Sequence, residues 1–351
     1  MKIFRKTAAM ILTAILALSC LTQGAGAAGT VQVEMDAEFK YSEARSMLKL
    51  INNFRTGDDA WYLSSNNRTR VRVKGLKALE YDYNLEKVAM QRAAEIAVYF
   101  SHTRPNGAAW SSLYPKGYSA RGENIAYGFG TVKSVFKAFA EEKEKYAGQG
   151  HRRVMLNKRF TRVGVGAVQV GSVMYWVQEF GCGGSKGSDG KKMKTAKVSV
   201  SEKVLKSAAY KVQAAEKNMT VQVGTSEKAP AVVIISRSGA KMTLKDCEWK
   251  TGSSLVKVKK DKVTGVRTGK TRLTAKAAGV SLSVPVSVVT TKPSEKKDKP
   301  DVVDMTIIEE YQPPLGTEYL VLEPDDECFE EEGEGAWEDD GYTEEYIEPE
   351  E

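Results

Sequence analysis

His102 and His151 are the two histidines of this 351-residue chain, and they are the residues most readily linked to chemistry. His102 directly follows a predicted helix, and His151 follows a glycine pair. Rigid scaffolds usually present functional groups on such loops. Neutral imidazole nitrogens serve as metal ligands and as acid–base groups near neutral pH. A functional site around the two histidines is therefore predicted, with two satisfied polar side chains as the alternative.

Two carboxylates are candidates to share that site. Glu123 lies in a short polar element flanked by glycines. Glu142 lies three residues beyond Phe139 and seven beyond Val135, so helical phase places it on the inward apolar stripe and Glu141 on another face. An inward carboxylate needs a partner, which a histidine or a metal would supply.

Two imidazoles and two carboxylates can form a site for a divalent ion such as Zn²⁺. In this hypothesis His102 and His151 are the metal ligands, while Glu123 and Glu142 orient them or accept protons. Asn124 and Arg104 are predicted to support the tetrad. A metal-free hydrogen-bonded cluster fits the same residues, as does a metal-dependent hydrolase with Glu123 or Glu142 as general base. No reaction is assigned.

Other catalytic signatures are missing from the sequence. It contains no HExxH, GxSxG, glycine-rich phosphate loop or CxxC, which argues against zincin proteases, α/β-hydrolases, nucleotide enzymes and thiol oxidoreductases. No nucleic-acid partner is expected. The scattered cysteines do not suggest a disulfide framework, so packing must stabilise each domain.

The elements that would position the tetrad alternate between helix and strand patterns. Apolar spacing predicts one helix from Ser42, a second over 85–100 capped by Asn84, and a third opened by Thr131. Beyond Phe160 the period becomes alternating, with a two-residue turn at 171–172, which predicts a β-hairpin. An α+β layered domain ending near residue 181 follows.

The N-terminus has the pattern of an export signal, with basic residues, an apolar run and a small-residue cleavage string. Cys20 leaves lipidation as an alternative. A Gly- and Lys-rich stretch after the first domain is predicted to be a flexible linker, and short alternating strands beyond it predict a β-sandwich in which Pro285 marks an edge strand. The predicted organisation is a signal peptide over 1–27, an α+β domain over 41–181, a linker over 182–195, an all-β domain over 196–290, and a charged linker with an acidic disordered tail over 291–351.

Charge is distributed unevenly along the chain. Residues 306–351 contain 19 Asp and Glu and no Lys or Arg, which leaves 52 basic against 26 acidic residues in the body. Basic exported proteins often contact anionic wall polymers or lipid surfaces. The tail is interpreted either as solvated and disordered, or as a pseudo-ligand that folds back on the body.

Several ordered motifs resemble the CAP superfamily of cysteine-rich secretory, venom-antigen and pathogenesis-related proteins. They are HTRPNG from His102, GENIA around Glu123, GHRR around His151, VGVG from Val163 and YWVQEF from Tyr175. The resemblance implies an α-β-α sandwich whose cleft holds a divalent metal between two His and two Glu. Carried over to this chain, these are His102, Glu123, Glu142 and His151. Phe139 stands where the family usually has Trp, and the eukaryotic cysteines are missing, which points to the bacterial branch; the sterol or lipid binding of eukaryotic relatives suggests a small or lipid ligand.

The second module resembles bacterial Ig-like domains of the invasin and intimin type, through segments around Trp249 and residues 265–275. Such domains act as spacers or adhesion modules, and Trp249 is interpreted as a core residue. The leading hypothesis is a secreted or surface-associated protein with a metal-binding cleft. An adhesion or wall-associated protein with a structural tetrad is the remaining alternative.

Overall fold

The structure is a computed structural model that describes residues 29–185, 187, 192–206, 209–291 and 316–322. The predicted signal peptide, 1–27, lies outside the described residues, as does most of the charged linker and tail. The helices are α1 (Tyr41–Thr56), α2 (Tyr83–Val98), α3 (Val132–Ala140) and α4 (Gly150–Met155), with a 3₁₀ turn over Trp110–Leu113.

The strands of the first half are β1 (Thr30–Phe39), β2 (Trp61–Leu63), β3 (Arg70–Arg72), β4 (Glu80–Tyr81), β5 (Tyr118–Tyr127), β6 (Arg162–Val170) and β7 (Val173–Gly183). The remaining strands are β8 (Ala196–Leu205), β9 (Ala209–Ala214), β10 (Met219–Gln222), β11 (Ser226–Lys228), β12 (Val232–Ser236), β13 (Lys241–Leu244), β14 (Val256–Lys259), β15 (Lys262–Gly265), β16 (Gly269–Ala277), β17 (Val280–Val289) and β18 (Gly316–Leu322).

The first half is an α+β domain in which β5, β7 and β6 form an antiparallel sheet. On one face α2 lies directly on β6, because a Cβ at Gly164 or Gly166 would come within 2.1 Å of the backbone of α2. On the other face Met47 of α1 accepts a hydrogen bond from the side chain of Gln178. Since neighbouring strand residues point to opposite faces, helices cover both sides of this sheet.

The predicted helices and hairpin of this domain are present. The residue that caps α2 is Asp82 rather than Asn84, since its side chain accepts the backbone N–H groups of Asn84 and Leu85. Thr131 caps α3 in a capping box with Ser134. β7 continues to Gly183, two residues past the predicted end of the domain.

Strand β1 joins the two halves of the molecule. It pairs with β8 over its whole length, with β6 at Glu38 and Phe39, and with β13 at Val33 and Glu34. A single sheet therefore runs in the order β18-β5-β7-β6-β1-β13-β12-β9. The division at residue 196 missed this strand, which precedes the first domain in sequence and pairs with strands of both halves.

The second half is a β-rich region with two further sheets, β10-β17-β16 and β11-β15-β14. The edge-strand prediction for Pro285 is wrong, because β17 lies between β10 and β16. β10 pairs only with Val286–Val289, so it stops one residue short of Pro285, which lacks an N–H. Trp249 is buried and donates its indole N–H to the carbonyl of Pro230, as expected of a core residue.

The acidic tail contains one described element. Residues 316–322, predicted to need no fold, form β18 on the outer edge of β5. Of the helices in the described part of the chain, none combines the length and apolar character of a membrane span.

Candidate functional site

His102 is held by a buried carboxylate and a buried guanidinium. Its Nδ1 lies 2.7 Å from Oε1 of Glu123. Arg92, from α2, donates its Nε–H to the other oxygen of Glu123 at 2.7 Å. The side chains of Arg92 and Glu123 are fully buried, whereas that of His102 is 14% exposed. Because an ionised carboxylate can only accept, Nδ1 of His102 carries the proton and Nε2 is left as a lone pair.

The charges around Glu123 fix its ionisation. Burial raises the pKa of Glu123, but the Arg92 guanidinium and His102 outweigh burial and bring this pKa down to about 2. Directly across the β5–β7 pair lies Glu179. Burial, followed by the negative charge of Glu123, raises the pKa of Glu179 well above its usual range. Glu179 is therefore a neutral acid beside an ionised one, and its Oε2 lies 2.8 Å from the hydroxyl of Tyr114.

Arg104, a predicted supporting residue, does not contact the tetrad directly. Its guanidinium pairs with Glu95 at 2.7 Å. Glu95 in turn accepts from Arg92 at 2.9 Å. Arg104 therefore supports His102 only through Glu95, Arg92 and Glu123.

His151 pairs with Glu141, not with Glu142, which corrects the assignment made from helical phase. Nδ1 of His151 contacts Oε1 of Glu141, and the other oxygen of Glu141 accepts the backbone N–H of Arg152 at 3.1 Å. Helix α3 ends at Ala140, and Glu141 adopts a left-handed conformation with φ 43°. The helical phase therefore stops one residue too early for Glu142, whose side chain is exposed.

Asn124 links β5 to α4. Its amide donates to the side chain of Gln178 at 2.8 Å and to the backbone carbonyl of His151 at 3.3 Å. Because Glu123 and Asn124 are neighbours in a strand, they project from opposite faces. The His102 and His151 sides of the site therefore approach β5 from opposite faces and can meet only beside its edge.

The histidine environments fit a metal better than the carboxylates do. Ligating histidines usually donate their second ring N–H to a carboxylate, which is the arrangement of His102 with Glu123 and of His151 with Glu141. Nε2 of His102 is buried and makes no hydrogen bond to the described residues. The carboxylates are already engaged, and no group of three or more His, Cys, Asp or Glu in the described ranges is placed to hold an ion.

Sequence reasoning missed several members of this site, namely Arg92, Glu95, Tyr114, Glu141 and Glu179. A signal was available for two of them. Arg92 follows Val88 by four residues on the buried stripe of α2, and Glu179 shares the face of Val177 in a buried strand. A charged residue at an apolar position predicts a buried ion pair. The turn that redirects Glu141 had no comparable signal.

Residues 48–180 match the model of the CAP, or cysteine-rich secretory protein, family. This segment is a CAP domain, and the β-rich region that follows it is unassigned.

Within this segment the chain is 37% identical over 112 residues to the uncharacterized protein YkwD of Bacillus subtilis (strain 168). The match covers 30% of this chain and 40% of that protein, so it spans less than half of the bacterial relative. Two solved structures are also similar. An outer surface protein from Borrelia burgdorferi is 19% identical, covers 41% of this chain and 94% of its own, and has a TM-score of 0.31. The structure of NaASP2 with Zn²⁺ is 20% identical, covers 40% and 80%, and also has a TM-score of 0.31.

Proposed function

We propose that the CAP domain binds a divalent cation such as Zn²⁺ through Nε2 of His102 and Nε2 of His151. The observation that carries this proposal is the buried Nε2 of His102, which has no hydrogen bond to the described residues while Nδ1 is fixed by an ionised Glu123. A buried lone pair without a donor is costly, and a cation would satisfy it. Glu123 and Glu141 orient the two rings as outer carboxylates, in the arrangement that tunes histidine ligands. When bound, the cation would supply Lewis acidity.

Zinc titration tests this proposal. Binding to the full chain, to His102→Ala and to His151→Ala is measured by calorimetry, with circular dichroism as a check of folding. Both substitutions are expected to lower zinc affinity strongly, because each removes one ligand. Equal affinity in all three proteins would exclude the histidine site.

The hydrolase alternative loses its two original general bases. A pKa of about 2 makes Glu123 a weak proton acceptor at neutral pH, and its oxygens are already bound by Arg92 and His102. Glu142 is exposed and lies outside the site. We therefore propose binding without assigning a reaction; a small or lipid ligand beside the cation is part of this proposal.

A second candidate function is attachment to an anionic surface, such as a wall polymer or acidic lipid headgroups. Its support is a basic face on the β-rich region. The β14–β15 hairpin exposes Lys257, Lys259 and Lys262, and β16 exposes Lys270 and Arg272 at alternate positions. We propose that the chain is exported, with the β-rich region as an Ig-like spacer that carries this surface.

Charge reversal tests the basic face. Lys257→Glu, Lys259→Glu and Lys262→Glu combined should abolish binding to purified walls or to vesicles with phosphatidylglycerol, in a salt-sensitive way. The combined control Lys74→Glu, Lys77→Glu and Lys116→Glu carries the same charge change in the CAP domain and should bind normally. If both triple variants lose binding equally, net charge rather than this face is responsible.

A further inference from the structure

Strand β18 occupies an edge that the rest of the sheet leaves open. β5 pairs on one side with β7 and on the other with β18, and the sheet order ends with β18. The pairing is antiparallel and runs from Gly316 opposite Tyr127 to Leu322 opposite Arg121. β18 lies outside the segment 48–180 that matches the family model, and residues 290–315 separate it from β17. The edge of the CAP domain is thus covered by a strand from outside it.

The covered edge lies in the middle of the candidate site. Leu320 is opposite Glu123, the partner of His102, and Tyr319 is opposite Asn124, which binds the carbonyl of His151. β18 also lies beside α4, the helix that carries His151. Because the two histidine sides approach β5 from opposite faces, the backbone of β18 runs through the place where they would meet.

The chemistry of the edge favours an added strand. Exposed strand edges usually carry proline or lysine, which discourage pairing, and β5 contains neither. An extended segment that adds to such an edge is bound mainly by backbone hydrogen bonds. Acidic residues follow β18 at positions 323 and 325–327, and the body of the chain is strongly basic.

We propose that the edge of β5 is a binding slot for an extended acidic peptide, and that residues 316–322 are its occupant in cis. The tail is then a tethered pseudo-ligand whose release opens the slot and the space between the histidines. The slot does not require a metal. Only the effect of release on zinc binding rests on the function proposed above.

Hydrogen exchange on the full chain tests the occupant. In an antiparallel strand alternate residues direct their N–H groups to alternate neighbours. Amides of residues 121–127 that face β18 should be protected in the wild type and should exchange at least about ten-fold faster when β18 is released. Amides that face β7 report on folding and should not change.

Two adjacent proline substitutions provide matched variants. Leu320→Pro and Val321→Pro each remove one N–H from β18, and only one of these N–H groups points to β5. Proline is tolerated where the N–H of an edge strand faces solvent. One variant should therefore release the strand while its neighbour keeps it bound. Exposure of the β18-facing amides in the wild type, or no effect of either proline, would overturn the proposal.

Ligand class is tested with a fluorescent peptide of residues 314–324. It should bind the releasing variant at least about ten-fold more tightly than the wild type, because the tethered copy competes at high effective concentration. No binding to the releasing variant would refute the slot, and a concentration-dependent dimer with protected β5 amides would refute occupancy in cis. Zinc affinity should rise on release. Peptide binding without any zinc binding would leave the slot standing and disprove the metal proposal instead.

Discussion

The carboxylates next to the two histidines are close in sequence but occupy very different positions in the molecule. Glu141 and Glu142 are adjacent, yet only Glu141 contacts His151. Glu141→Gln should weaken zinc binding about 10–100-fold, because loss of an outer carboxylate lowers the basicity and order of a ligating histidine. Glu142→Gln should leave it unchanged. Calorimetric titration of both variants distinguishes them, and a larger effect of Glu142→Gln would restore the assignment by helical phase.

Arg92 holds the buried carboxylates Glu123 and Glu95. Arg92→Leu leaves both without this partner and should lower the free energy of unfolding by about 3–5 kcal/mol at pH 7. The pKa of Glu123 is depressed in the folded state, so its stabilising effect is present above its ordinary value of 4.5 and is lost as pH falls towards 2.

The deficit of Arg92→Leu should therefore shrink when unfolding is measured at pH 3 instead of pH 7. Urea denaturation at both pH values gives this difference. A deficit independent of pH would mean that Arg92 contributes packing rather than charge.

At the level of single residues, the sequence identified His102, His151 and Glu123 because motif and loop position mark them. It did not identify Glu141, since a single left-handed residue at the end of α3 ends the helical phase. Arg92 and Glu179 were predictable in principle as charges on apolar stripes. Their partners were not, because those pairs join α2, β5 and β7 across the interior.

Among the elements, helix α2 positions most of the His102 side of the site. It carries Arg92 and Glu95, it precedes His102, and it lies on the glycines of β6. Gly166→Ala would place a Cβ 2.1 Å from the carbonyl oxygen of Ala89, so α2 must shift. The expected loss is about 1–3 kcal/mol or more in unfolding free energy, together with weaker zinc binding.

Gly130→Ala is the matched control for that substitution. Its Cβ would have no heavy atom within 4 Å, and its stability should stay within about 0.5 kcal/mol of the wild type. Thermal unfolding of the two variants makes the comparison. If Gly166→Ala were as stable as Gly130→Ala, the close approach of α2 to β6 would be wrong.

Elements with strong periodicity were predictable, as α1, α2 and the β6–β7 hairpin show. β5 and α4 were not, because β5 contains polar residues on both faces and α4 has only six residues. Pro285 was misread for a different reason. Its strand is central, and only the neighbouring β10 stops short of it, which depends on the pairing of distant segments.

On the scale of the whole molecule, one sheet passes from the tail strand through the CAP domain into the β-rich region. Local patterns predicted two separate units, and they could not show that β1 pairs with both or that a segment of the acidic tail pairs with β5. Such pairings are set by long-range contacts rather than by local periodicity. The continuity suggests that the charge network of the site extends across the join.

Glu202 on β8 is the residue through which this extension is measurable. Burial, followed by the negative charge of Glu95, raises the pKa of Glu202 to about 8, although Arg104 and Arg92 oppose the rise. Its ordinary value is 4.5. Between these two pH values the folded chain holds a proton that the unfolded chain has released, so this group makes stability fall as pH rises.

Glu202→Gln removes that titration. The variant should be more stable than the wild type by about 1–3 kcal/mol at pH 8 and should differ little at pH 5, where the wild-type side chain is already neutral in the fold. Glu248→Gln, on the exposed side of the same region, should show no such pH-dependent difference. Urea denaturation at the two pH values measures both. Because the raised pKa requires β8 to be packed against the Glu95 network, an equal response of the two variants would mean that the β-rich region does not dock on the CAP domain in this way.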